Sequence, residues 1–161
     1  MHNVPEIAAE PALVKEFVFT GDLGSMPAAR DAMMGFIHEY CASPQEEQEE
    51  VDSLVALQEA LANAVLHGCH NDPSKTIHCS VEIDSSAIAI VISDPGPGFD
   101  VDAATGSNGK GSNLTEHGRG ISLMRGLMDE VSYGRGGSEV RLKKLRAIVP
   151  AVTPRFASPA P

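Results

Sequence analysis

Residues 13–20 alternate between apolar and polar side chains and are rich in β-branched and aromatic types, which predicts a strand with Phe17 and Phe19 on one face. Gly21-Asp22-Leu23-Gly24-Ser25 reads as a loop, and Ser25 followed by Met26-Pro27 as a helix start. That helix is expected to run to about Cys41, carrying Met33, Met34, Ile37 and Tyr40, with Pro44 as the break. A second helix is predicted over about 46–67. Leu54, Leu57, Leu61 and Val65 form its apolar stripe, and Gly68 suits the left-handed position that follows a helix. Asn71-Asp72-Pro73-Ser74 reads as a turn, and residues 76–83 and 87–93 as a hairpin joined by Asp84-Ser85-Ser86. A third helix is expected over about 118–128. A closing hairpin, 131–133 with 139–148, would turn across Gly134-Arg135-Gly136-Gly137. Together these elements predict a two-layer α/β sandwich: a mixed, mainly antiparallel sheet with helices on one face.

The flanks and one internal stretch lack this patterning. Residues 1–12 are rich in Pro and Ala and read as a flexible N-terminus, and residues 149–161, with four prolines, as a disordered tail. Residues 100–117 are poor in apolar side chains and rich in Gly, Ser and Asn, which is expected of a mobile lid. The domain itself would occupy 13–148 of the 161 residues.

Composition narrows the function classes. Aromatic residues make up 4% against 42% hydrophobic overall, so the core has to be built from Leu, Val, Ile, Ala and Met. A formal net charge of −10 argues against a direct nucleic-acid partner, because phosphate binding needs clustered Lys and Arg. The acidic run over residues 46–52 reads first as a solvated helix start with acids near the positive dipole end, and second as a partner-facing patch. Three cysteines without a CxxC pair suit a reducing cytosol. No basic segment precedes an apolar run at the N-terminus, and the longest uninterrupted apolar run, 87–92, is far too short to span a bilayer. The expectation is a cytoplasmic protein without a membrane partner.

Candidate chemistry sits in three places. Glu59, Asn63 and His67 recur at i, i+4 and i+8 and share one stripe of the second helix. A carboxylate can take a proton and an amide oxygen can complete the shell of Mg2+, although such residues are also ordinary solvent-facing ones. Asp94-Pro95-Gly96-Pro97-Gly98-Phe99 follows a strand. Its carboxylate can accept from an exocyclic amine, and Gly96 and Gly98 leave room for a flat base; a plain Asp-Pro-Gly turn is the alternative. Gly118-Arg119-Gly120 opens a helix whose free N–H groups could hold an anion, with Arg119 and Lys110 as nearby cations or plain surface charges. The spacing is not a Rossmann fingerprint, and no GxxxxGK[ST] is present.

In order and spacing the three segments resemble the N, G1 and G2 boxes of the GHKL ATPases (gyrase, heat-shock chaperone, histidine kinase, MutL). Glu-Ala-x-x-Asn-Ala-x-x-His-Gly at 59–68 and Gly-Ile-Ser-Leu-Met-Arg-Gly-Leu-Met-Asp-Glu-Val at 120–131 look like one bacterial branch, the anti-sigma factor serine-protein kinases. The resemblance covers about 13–146 and implies a Bergerat-type ATP-binding fold. It implies Asn63 as ligand of an Mg2+ bridging the phosphates, Asp94 on the adenine amine, and Gly96 and Gly98 shaping the base pocket. It further implies Gly118 and Gly120 around the phosphates and Glu59 as general base for a serine hydroxyl. The second glycine box departs from the pattern, with Ile121 where a Leu often stands. The implied partners are a sigma factor, an anti-anti-sigma protein of STAS type and a second copy of the chain. The alternatives are a non-catalytic ATP-responsive binding switch and, less favoured, a histidine-kinase ATPase domain, for which His38 on the first helix would be the acceptor to consider.

Overall fold

The computed structural model describes residues 11–41, 44–105 and 116–147, without the side chains of Gln45, Glu116 and His117. Residues 1–10, Lys110 with most of the expected lid (106–115), and the tail from 148 lie outside the described residues.

Strands β1 (Leu13–Gly21), β2 (Asp72–Ile83), β3 (Ala87–Ser93), β4 (Glu130–Gly134) and β5 (Glu139–Leu145) form one sheet in the order β1-β2-β3-β5-β4. The four pairings are all antiparallel, so the mainly antiparallel sheet expected contains no parallel pair among the described residues. The helices are α1 (Met26–Tyr40), α2 (Glu47–Asn63), the single turn α3 (Val101–Thr105) and α4 (Glu116–Leu127).

Register explains why the helices cover one face. Phe17, Cys79, Ile92, Val140 and Tyr133 fall in one row across the sheet and pack into or against the core. The adjacent row, Glu16, Ser80, Val91, Arg141 and Ser132, points to the opposite face. That face is polar, with Arg141 donating to Glu82 at 2.6 Å. The largest fully buried side chains are all Met, Ile or Leu, among them Met33, Leu57, Leu61, Ile90, Met124 and Leu142. Phe17 and Phe19 stack on the helix side at 6.1 Å between centroids.

Three boundaries and the setting of the acidic run differ from the sequence expectations. β2 begins at Asp72, four residues early, because the left-handed residues that make the turn are His70 and Asn71. Val101–Thr105, the first part of the expected lid, is helical, with Asp100 accepting from the Ala103 amide at 3.0 Å. β5 ends at Leu145, because Arg146 leaves the ladder to enter the core. The acidic run is not uniformly solvated: Glu46 is fully buried and accepts from Arg146 Nε at 2.7 Å, and Asp52 pairs with Lys144 at 2.9 Å. Arg146 also donates to the carbonyls of Asp84 and Tyr40, so one guanidinium ties β5 to α1, α2 and the β2–β3 turn.

The three cysteines are buried and not disulfide-bonded, and burial pushes the Cys79 thiol up to about 12, which leaves it unreactive. No helix among the described residues is long and apolar enough to cross a membrane.

Candidate functional site

The site lies where the end of α2 meets the end of β3. Along α2 the buried positions are Ser53, Ala56, Leu57, Ala60 and Leu61, while Glu59 and Asn63 are half-buried at the helix edge. Their neighbours Ala60 and Ala64 are small and buried, which leaves space beside Asn63. The helix does not stop on a left-handed glycine as expected. It widens into a π turn, Ala64–Gly68, in which the Cys69 amide reaches back to the Ala64 carbonyl at 2.8 Å. Gly68 does not have a positive φ; His70 (φ 57°) and Asn71 (φ 54°) take the left-handed positions.

Strand β3 is buried on both faces over most of its length and ends at Ser93, immediately before Asp94. The Asp94 amide donates to the Ser138 carbonyl at 2.9 Å, and its Oδ1 accepts from the Gly96 amide at 2.8 Å. Burial holds the Asp94 carboxyl above the usual carboxylate range, and the Gly96 hydrogen bond only partly offsets this. Gly98 has φ 74°, and any side chain there would run into the Gly136 carbonyl; the Phe99 amide is tied to the same carbonyl at 2.9 Å.

Between these elements is a cavity of about 280 Å³, whose walls include Asn63, His67, Asp94, Gly98, Phe99 and Tyr133. Thus Asn63 from α2 and Asp94 and Gly98 from the β3 end face one space. Gly96 stands behind Asp94 and fixes its carboxylate. Glu59, Gly118, Arg119 and Gly120 do not line the cavity. Gly118 and Gly120 are buried in α4, and Arg119 is exposed. Because α4 is under way at Glu116, Gly120 is its fifth residue, past the four amides a helix leaves without internal partners. What Gly120 provides is clearance: a Cβ there would lie 2.9 Å from Glu59 Oε2.

Two features escaped the sequence reading. His67, whose role was open, lines the cavity, whereas Glu59 does not. Tyr133 and Phe99 meet edge to face at 5.6 Å in the cavity wall. Among the described residues the Tyr133 hydroxyl has no hydrogen-bond partner, and burial pushes it up to about 12. The pairing of Tyr133 with Val140 across the last hairpin is the signal that could have placed it on the helix face.

The family model of the histidine kinase-like ATPase domain matches residues 19–144. The chain belongs to that family. Membership in this GHKL-type family implies ATP binding, and the antiparallel sheet with helices is its fold. Among curated relatives, this ATPase domain is 33% identical over 104 residues to an anti-sigma F factor of Geobacillus sp. (strain WCH70), covering 62% of this chain and 70% of the relative. It is 37% identical over 101 residues to the serine-protein kinase RsbW of Staphylococcus epidermidis, covering 58% and 64%. An anti-sigma F factor of Anoxybacillus flavithermus is 33% identical over 89 residues, 54% and 60%. The matched stretch therefore spans between 60% and 70% of the length of these relatives.

Proposed function

We propose that this chain is a cytoplasmic ATP-dependent serine-protein kinase that phosphorylates a serine on an anti-anti-sigma protein of STAS type and sequesters a sigma factor. The names of the relatives support this: two are anti-sigma F factors and one is a serine-protein kinase. The observation that carries it is the convergence of Asn63 and Asp94 on one cavity, with Glu59 one helical turn before Asn63.

The donor set suits an adenine nucleotide. With Oδ1 held by the Gly96 amide, Asp94 keeps its other oxygen for an exocyclic amine. The aromatic pair Phe99–Tyr133 and the buried Ile92 and Val140 provide apolar walls for a base. The set also suits Mg2+. That ion keeps several waters and takes one or two protein oxygens beside phosphate, and the Asn63 amide is such an oxygen. Asn63 would be the protein ligand. When bound, Mg2+ would neutralise charge on the phosphates; the chain's own residues orient the nucleotide and move one proton.

In this reading Glu59 takes the proton of the incoming serine hydroxyl, and Arg119 brings positive charge near the phosphates. Gly120 keeps the helix backbone close without displacing Glu59. A second copy of the chain would pack through β1 and α1. The test is phosphotransfer: Mg-ATP and the STAS-type partner should yield acid-stable phosphoserine on that partner. Transfer that persists unchanged in Glu59→Ala would remove Glu59 as the base.

A further inference from the structure

Gly68 is a glycine without a conformational reason. Its φ is not positive, it is buried, and it lies inside a π turn rather than at a chain reversal. Its reason is contact. A Cβ built on Gly68 would overlap the Asp94 carboxylate, meeting the carboxyl carbon and both oxygens. Gly96 closes the same seat from the other side: a Cβ there would lie 2.7 Å from the Gly68 carbonyl oxygen and 2.8 Å from Asp94 Oδ1. The carboxylate is thus clamped between two bare backbones, and the Gly96 amide fixes one of its oxygens at 2.8 Å.

The π turn belongs to the same arrangement. One extra residue in the turn redirects the chain after Asn63, and the Cys69 and Asn71 amides lock it by bonding the Ala64 and Val65 carbonyls at 2.8 and 2.9 Å. The result carries the Gly68 backbone onto the carboxylate, while Asn63, five residues earlier, still faces the cavity.

We infer that Gly68 is a positioning residue for base recognition: by lacking a side chain it sets the direction of the Asp94 carboxylate, and through it the selection of a base carrying an exocyclic amine. This rests on the reading of Asp94 as the group that accepts from adenine. Any side chain at 68 must turn the carboxylate or push β3 away from α2. The cost then falls on amine recognition, not on phosphate or metal contacts.

The test uses the full chain, isothermal titration calorimetry, and two nucleotides, ATP and inosine triphosphate, which lacks the exocyclic amine. The wild type should prefer ATP. In Gly68→Ala that preference should fall by about tenfold or more, with inosine triphosphate affinity little changed. A double-mutant cycle supplies the second readout. Gly68→Ala should lower the unfolding temperature of the wild type, but not that of Asp94→Ala, where the obstructing carboxylate is gone. Should Gly68→Ala fail to fold alone, the Asp94→Ala background should restore it. Retention of the full ATP preference in Gly68→Ala, or an equal loss of stability in both backgrounds, overturns the inference. A wild type that binds both nucleotides equally overturns the reading of Asp94 instead, and the stability cycle still decides whether Gly68 and Asp94 are coupled.

Discussion

Gly120 of α4 lies against the carboxylate of Glu59 on α2: a methyl group at position 120 would sit 2.9 Å from Glu59 Oε2 and 3.7 Å from Asn63 Nδ2. The obstacle is the far end of a flexible side chain, so Glu59 can swing aside at little energetic cost. Alanine is also the better helix former, by about 1 kcal/mol. Gly120→Ala is therefore expected to unfold at the same temperature or higher, by roughly 2–4 °C. Phosphotransfer should fall by about tenfold or more because the base is displaced. ATP affinity should be nearly unchanged. Thermal unfolding and single-turnover transfer on one preparation check this, and loss of stability without loss of transfer would contradict it.

Asp94 makes the folded protein less stable when ionised. Its carboxyl is held above the usual carboxylate range, chiefly by burial. The protonated form is thus favoured by folding, and that contribution is lost as pH rises through the folded-state value. Asparagine keeps the acceptor for the Gly96 amide and carries no charge at any pH. Without nucleotide, Asp94→Asn should unfold at a higher temperature than the wild type at neutral pH, and the gap should close in acid, below the usual carboxylate range. Melting curves across pH test the sign; an Asp94→Asn variant that is less stable at neutral pH contradicts it.

The Arg146–Glu46 pair has both side chains fully buried, at 2.7 Å, and Arg146 also serves the Tyr40 and Asp84 carbonyls. Removing one partner strands a buried charge. Arg146→Met is expected to cost about 3–5 kcal/mol in denaturant unfolding. Replacing both partners, Arg146→Met with Glu46→Leu, should recover a large part of that loss. A single substitution costing as little as an exposed pair would show the site to be hydrated in solution.

The Tyr133 hydroxyl is buried without a partner among the described residues, while its ring walls the cavity against Phe99. Tyr133→Phe keeps the ring and removes the stranded group. It should raise stability by about 1 kcal/mol and leave ATP affinity within about twofold. Ultraviolet titration of the wild type should show this phenol pushed up to about 12. A marked loss of ATP affinity in Tyr133→Phe would show that the hydroxyl meets the nucleotide.

Much of this architecture was legible because period and punctuation agreed. The alternation that produced β1, the helix start at Met26-Pro27 and the hairpin around Asp84–Ser86 all reflect local physics. The asparagine of the α2 stripe and the aspartate after β3 were legible as candidates because their spacing carried a family pattern. What stayed hidden depends on contacts between segments distant in sequence. Glu46 read as one acid of a solvated run because its partner, Arg146, lies 100 positions away. Gly68 read as a helix stop because a glycine after a helix usually supplies a positive φ; nothing local shows a carboxylate from another strand pressed against it. Helical spacing puts His67 on the Glu59–Asn63 stripe, but the π turn at Ala64–Gly68 changes that spacing and His67 lines the cavity.

In the function proposed above, the cavity between α2 and the end of β3 holds an adenine nucleotide with Mg2+, read by Asp94 and Asn63. Calorimetric titration of the full chain with ATP, with and without Mg2+, tests it most directly. Mg2+-dependent ATP binding is expected in the wild type, with its loss in Asp94→Asn despite an intact fold and loss of the Mg2+ dependence in Asn63→Ala. ATP binding that is undiminished in Asp94→Asn, or equally Mg2+-dependent in Asn63→Ala, would contradict it.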